Sequence, residues 1–291
     1  MSSEAYQGRP STLRRPGSLG TGGLVLLGLA SVAVVAARYL GLVPTDLVPG
    51  AGGLRLAGEF LGAAVEPAMS FEGEYGGGGP FGVLVQGLQA TWNTVVFAAA
   101  ALSLALVGGL VLGFLGATAW WDGLGRSVGF APLLTMAVRL ILTLMRSIHE
   151  LVWAVLLLAA LGTGPLVAVV AIAIPYAGTL AKIFSEMIDE APRDAAGALE
   201  QAGATTVQCF AFGLLPRALP DMLAYTFYRF ECALRSSAVL GFFGFPTLGY
   251  YISASFENLY YGEVWTYLYL LFALIIGVDW WSGRLRREVL A

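Results

Sequence analysis

The chain has 291 residues, of which 57% are apolar and only 12% charged, with a formal net charge of −3. That balance excludes an ordinary soluble domain, which carries about 25% charged residues. One histidine and two cysteines leave little material for a metal centre or an intramembrane enzyme, so no catalytic residue, metal or nucleic-acid partner is expected.

Apolar runs of about 20 residues, the length a helix needs to cross a bilayer, recur along the chain and predict an all-α membrane protein with about six spans. A polar tail over residues 1–22 carries Arg9, Arg14 and Arg15. The first run, Gly23 to Leu42, is longer than a signal-peptide core and reads as a retained span. Segment 43–90 holds Asp46, Glu59, Glu66, Glu72, Glu74 and the tract EYGGGGP, and reads as a linker with a short surface helix. The main apolar core is read at 91–285. Its second span, Thr91 to Ala119, contains Gly109 and Gly113, small residues at a spacing that lets helices approach closely in lipid. The third, fourth, fifth and sixth spans are read at Leu133 to Leu161, Gly164 to Phe184, Asp221 to Leu240 and Val264 to Trp281, with a tail at 286–291. Between the last two, GFFGFPTLGYYISASFENLYYGEVW suits a loop dipping back toward a pore mouth or contacting a partner, or a set of interfacial aromatic anchors.

Cytoplasmic loops retain Lys and Arg. With the N-terminus inside, the inner segments hold Arg9, Arg14, Arg15, Arg126, Lys182, Arg193, Arg217, Arg284, Arg286 and Arg287, and the outer segments hold Arg55. Both termini are therefore expected in the cytoplasm, with Trp120, Trp121, Trp280 and Trp281 at the inner interface.

The loop 187–220 interrupts this apolar pattern with EAPRDAAGALEQAGATTVQCFAFGLLPRALP, Glu190 to Pro220. Asp194 to Gln201 suits a short helix, Gly203 a left-handed turn that ends it, and Thr205 or Thr206 the cap of a second helix through VQCFAFGLL. Pro216 and Pro220 are expected to punctuate the approach to the fifth span. The result is an Ala-rich, partly apolar knob suited to being covered by another protein.

The spacing of Ala198, Gly203, Leu215 and Pro216 resembles the EAA-type coupling loop of the permease subunits of bacterial ATP-binding-cassette importers. Gly197 stands where that family usually has Glu, and Gly213 where it often has Ile. The stretches RSIHELVWAVLLLAALGTGPLVAVVAIAIPYAGTLAKIFSEMIDE and LLPRALPDMLAYTFYRFECALRSSAVLGFFG are similar to the PhnE-like permeases of phosphonate importers and their phosphite-type relatives, a similarity covering most of the chain after Phe81. The resemblance implies a MetI-like type I importer fold in the bacterial inner membrane, built as a homodimeric pore among membrane lipids. It also implies a pair of cytoplasmic ATPase subunits that hold ATP and Mg, and an external binding protein delivering phosphonate, phosphite or hypophosphite. Ala198, Leu199, Gly203, Ala204, Leu215 and Pro216 are the implied ATPase-coupling residues. In agreement, the sole lysine, Lys182 in TLAKIF, follows no glycine run of a nucleotide-cradling loop. The alternatives are an importer of another small solute and a secondary transporter, although the two related halves typical of the latter are not seen.

A charge at mid-bilayer costs about 2.5 to 3.5 kcal/mol on insertion scales, so the embedded charges need a reason. Arg146, His149 and Glu150 fall on one face of a continuous third helix, with Arg139 near them. Arg229, Glu231 and Arg235 lie within two turns of the fifth. They either line the path of an oxyanion, to which a guanidinium is well matched, or form neutralising pairs, Arg146 with Glu150 and Arg235 with Glu231.

Overall fold

The computed structural model describes residues 21–43, 50–73, 79–119 and 131–290. The expected polar tail up to residue 20, Asp46, most of the EYGGGGP tract, Trp120, Trp121 and Arg126 lie outside them.

Every described element is helical. In chain order they are α1 (Thr21–Tyr39), α2 (Ala51–Ala63), α3 (Gly82–Gly116), α4 (Ala131–Ser147), α5 (Glu150–Leu161), α6 (Pro165–Glu190), α7 (Asp194–Gln201), α8 (Thr206–Gln208), a π-helical stretch (Cys209–Leu214), α9 (Leu215–Val239), a 3-10 turn (Leu240–Phe243), α10 (Leu248–Glu257) and α11 (Tyr261–Leu290). Four helices are long and apolar enough to cross a bilayer, and two further pairs pass together: α4 with α5, bent by 90°, and the Thr206–Phe243 run with α10, bent by 45°. With each pair taken as one span the total is six, as the sequence predicts. The start of α3, the end of α6, the start of α9 and both ends of α11 outrun their expected limits, because hydropathy registers apolar stretches while hydrogen bonding carries a helix on into polar ends, whereas α1 and α3 end three residues short of theirs.

The chain divides into two compact units, residues 1–58 and 59–291. In the first, α1 is apolar all round and none of its span is buried. Such a helix is matched to lipid, not to a protein core.

The second unit is organised on α3 and α6. Ala98, Ala101, Ala105, Gly109 and Gly113 form a buried small-residue stripe on α3, facing Ala177, Leu180, Ala181 and Phe184 of α6. A Cβ on Gly109 would stand 2.7 Å from the Leu180 Cβ, and one on Gly113 3.0 Å from the Ala181 carbonyl oxygen. The predicted glycine pair thus permits backbone contact, which supplies the van der Waals energy that hydrophobicity cannot supply between helices in lipid.

Buried hydroxyls fix the remaining helices. Ser237 Oγ donates to the Thr94 carbonyl at 2.8 Å, and Thr247 Oγ1 to the Ala238 carbonyl at 3.1 Å. The Thr94 hydroxyl accepts from Leu248 N at 3.2 Å. These bonds seat α10, which continues from α9 at a bend of 45°.

At the same end, residues 59–73 form a strap over the start of α11. Phe60 packs among Phe256, Tyr261 and Trp265, and its carbonyl accepts from Trp265 Nε1 at 2.6 Å. Tyr269 donates to the Ala64 carbonyl and Thr266 to that of Ala68, at 2.7 and 2.6 Å. The Glu263 carboxylate accepts from Glu72 N at 2.8 Å, while the Glu72 carboxyl accepts from the backbone of Gly262 and Glu263. Partial burial and the neighbouring Glu263 charge push the Glu72 carboxyl above its ordinary value, against the lowering effect of those backbone bonds.

Candidate functional site: a surface knob and an intramembrane polar cluster

The polar interlude forms a knob through two adjacent backbone motifs. At the end of α7, Gly203 N donates to the Glu200 carbonyl at 3.0 Å and Ala204 N to that of Leu199 at 2.9 Å, with Gly203 at φ +86. This is a Schellman closure, and the left-handed residue in it is the predicted glycine. Thr205 opens the next helix with a capping box: Thr205 N donates to Gln208 Oε1 at 2.8 Å and Gln208 N to Thr205 Oγ1 at 3.4 Å.

Beyond that cap the helix runs without a break through the π-helical stretch into α9. The expected punctuation holds for Pro216, in the first turn of α9, and is corrected for Pro220, which lies inside that helix. A proline offers no N–H and its ring crowds the carbonyl four residues back, and here the widened π turn immediately precedes Pro216.

Ala198, Gly203 and Pro216 are exposed, and Leu199, Ala204 and Leu215 are half-buried. Phe212 and Val207 add an apolar surface, 73% and 55% exposed. The knob is fastened below. Phe210 is buried with its ring 4.9 Å from that of Phe114 on α3, and Arg217 reaches the Pro192 carbonyl at 3.4 Å and Asp194 at 3.6 Å. Asp189, near the end of α6, accepts from Thr118 N, Thr118 Oγ1 and Ala119 N at 3.1, 2.8 and 2.8 Å.

The two departures from the coupling-loop pattern have different surroundings. At Gly213 a Cβ would stand 2.8 Å from the Ala196 Cα, so α7 lies flush on the π-helical stretch only because no side chain intervenes. At Gly197 a Cβ would meet nothing within 4 Å, and the residue borders a cavity of about 320 Å³ shared with Arg193, Glu200, Thr206 and Cys209.

The intramembrane charges are arranged differently from the sequence expectation. The third span is not one helix: it breaks at Ile148 and His149, and α4 and α5 diverge by 90°. Arg146 and Glu150 therefore share no helical face and form no pair. His149 is the N-cap of α5, its Nδ1 accepting from Leu151 N at 3.3 Å. Its Nε2 lies 3.5 Å from a Glu150 carboxylate oxygen. Glu150 turns instead toward α9, accepting from Ser236 Oγ at 2.8 Å, and the Tyr176 hydroxyl of α6 lies 3.0 Å from the same Oγ. The Arg229 guanidinium sits 5.3 Å from the centre of the Tyr176 ring and 5.4 Å from that of Tyr225, with Nε donating to the Tyr225 hydroxyl at 3.0 Å. One polar chain thus joins α5, α6 and α9. Tyr176 and Ser236 were missed by sequence reasoning because an uncharged hydroxyl in an apolar span gives no signal.

The second expected pair is likewise replaced. Glu231, 6% exposed, bonds Arg286 of α11 at 3.1 Å and not Arg235. Arg139, Arg146 and Arg235 are exposed and make no ion pair among the described residues.

Comparison with known proteins agrees with this architecture. A family model described as "Binding-protein-dependent transport system inner membrane component" matches residues 109–290. The phosphite transport system permease protein PtxC of Stutzerimonas stutzeri is 30% identical over 260 residues, 88% of this chain and 86% of that protein. The putative phosphite transport system permease protein HtxE of the same organism is 33% identical over 154 residues, 53% of this chain and 59% of that one. Among solved structures, an inward-facing form of the MetNI methionine ABC transporter superposes with a TM-score of 0.59 at 25% identity, covering 71% of this chain and 96% of the other.

Proposed function

Because the chain belongs to the binding-protein-dependent transport system inner membrane components and has the MetI-like permease fold, we propose that this pore-forming importer subunit carries phosphonate or a related phosphorus oxyanion such as phosphite or hypophosphite. The observation that carries the cargo assignment is the 30% identity to a phosphite-system permease over 86% of that protein's length.

In this reading the chain pairs with a second copy, both termini face the cytoplasm, and the knob is the docking point for an ATPase dimer that holds ATP and Mg. Ala198, Leu199, Gly203, Ala204, Leu215 and Pro216 form or border the docked surface. The mechanical argument is direct: the knob is continuous with α9 and stacked on α3 through Phe210 and Phe114, so a displacement of α7 moves those helices as rigid bodies. The unpaired Arg146 and Arg235 are the groups available to offset an oxyanion's charge as it leaves water. Arg229 is held against two tyrosine rings, and Glu231 with Arg286 is structural.

The test is uptake by the reconstituted complex with its cognate binding protein, measured against phosphonate, phosphite, hypophosphite and phosphate. ATP-dependent uptake of at least one phosphorus oxyanion supports the proposal. Uptake of a different solute class, with none of these transported, overturns it.

A further inference from the structure

A cavity of about 530 Å³ opens at the end of the molecule opposite the knob, between the strap and α10. Its walls are aromatic. Tyr250 and Tyr251 stand edge to face with centroids 5.2 Å apart, and Tyr251 is 5.7 Å from Tyr267. Glu263 lines it, 5% exposed, with one carboxylate oxygen accepting from Glu72 N and the other from the Ser255 hydroxyl, each at 2.8 Å. Each oxygen keeps a second lone pair.

What this site lacks is a cation. The buried Glu231 has Arg286, whereas neither Glu263 nor Glu72 is ion-paired with any described residue. Residues 59–73 and 248–263 contain Glu59, Glu66, Glu72, Glu257 and Glu263, and no lysine or arginine. Buried carboxylates are ordinarily paired, and no described residue supplies the counter-charge here. A phosphorus oxyanion would be repelled here, which excludes the cargo. Tyrosine faces above a carboxylate attract a basic head, and the long methylene stem of such a residue packs on the rings.

We propose that this tyrosine-walled cavity is the socket for a lysine or arginine side chain of the extracytoplasmic binding protein. The proposal rests on the orientation given under Proposed function, which places this end outside.

The test measures the affinity of the cognate binding protein for the permease–ATPase complex in nanodiscs, across a salt series. Glu263→Gln removes the charge and is expected to weaken binding about tenfold and flatten its salt dependence. Should that variant fail to assemble, Asn258→Lys decides: Asn258 is exposed on the rim of the cavity, and the new ammonium supplies the cation in cis, with a similar expected loss. Basal ATPase activity without binding protein stays unchanged in both. A photo-crosslinker at Tyr250 is expected to label a basic patch of the binding protein. Wild-type affinity in an assembled variant, or labelling confined to lipid or the permease, overturns the socket. Continued phosphite uptake alongside such a result would leave the cargo reading standing, and labelling that places Asn258 in the cytoplasm would sink the orientation instead.

Discussion

The knob and the helix break at His149 are both departures from straight transmembrane helix, and they are built by opposite means. The knob is made by bonds spanning three to five residues, the Schellman closure at Gly203 and the capping box from Thr205 to Gln208. The break is held by Glu150 reaching Ser236, 86 residues away, and by Tyr176 meeting the same hydroxyl from a third helix. A locally coded element keeps its shape while it moves, which suits a part that transmits force. An element coded by long-range contacts changes shape when its neighbours move, which suits a part that opens.

The sharpest way to break this comparison is at Gly213. Replacing it with Ile drives a side chain into the Ala196 backbone and lifts α7. Co-purification of the ATPase should be lost, while Gly197→Glu, which enters open space, should assemble like the parent. Equal assembly of both variants would mean that the seating of α7 does not govern docking.

Next in size is the ion pair between α9 and α11. Arg286→Met leaves the buried Glu231 charge unmatched, and a loss of about 3 kcal/mol is expected, read as a lowered Tm of the purified permease. Arg235→Met removes no ion pair and should leave the Tm unchanged.

A smaller effect separates transport from assembly. Arg146→Met and Arg235→Met should leave the complex intact and lower uptake of the oxyanion about tenfold, about 1.4 kcal/mol in the barrier. Full uptake in both would assign these arginines to packing between copies.

The smallest effect is on pH. The Glu72 carboxyl is raised above 4.5 in the folded chain, so the folded state holds the extra proton and its stability falls as pH rises from that value through the folded one. With the intrinsic pH dependence of amide exchange divided out, the protection of residues 59–73 should therefore be greater at about pH 5 than at about pH 7.5, and Glu72→Gln should flatten the difference.

The legibility of the sequence follows the same divide. Gly203, Thr205 and Gln208 specify their caps through neighbours in the chain, so the knob could be drawn from the letters alone. Gly109 and Gly113 announced a close contact without naming Leu180 and Ala181 as the other side of it. The break could not be foreseen, because MRSIHEL contains no proline or glycine and its bend is stabilised by residues far along the chain. The pairing of Glu231 failed for a related reason: four-residue spacing makes Arg235 reachable, but Arg286 approaches from another helix and wins. Arg286 itself was assigned to a tail because hydropathy fades before α11 ends at Leu290.

The π-helical stretch Cys209–Leu214 has a rotational consequence. A π turn holds an additional residue in its circumference, so it takes up one residue of chain while leaving the helices on either side nearly in phase. Deleting a single residue here would restore ordinary helical pitch with little turn, whereas the same deletion inside α9 would swing the α7 surface by about 100° around the axis. The stretch thus acts as a slack turn, holding the azimuth of α7 over α9 against a change in chain length.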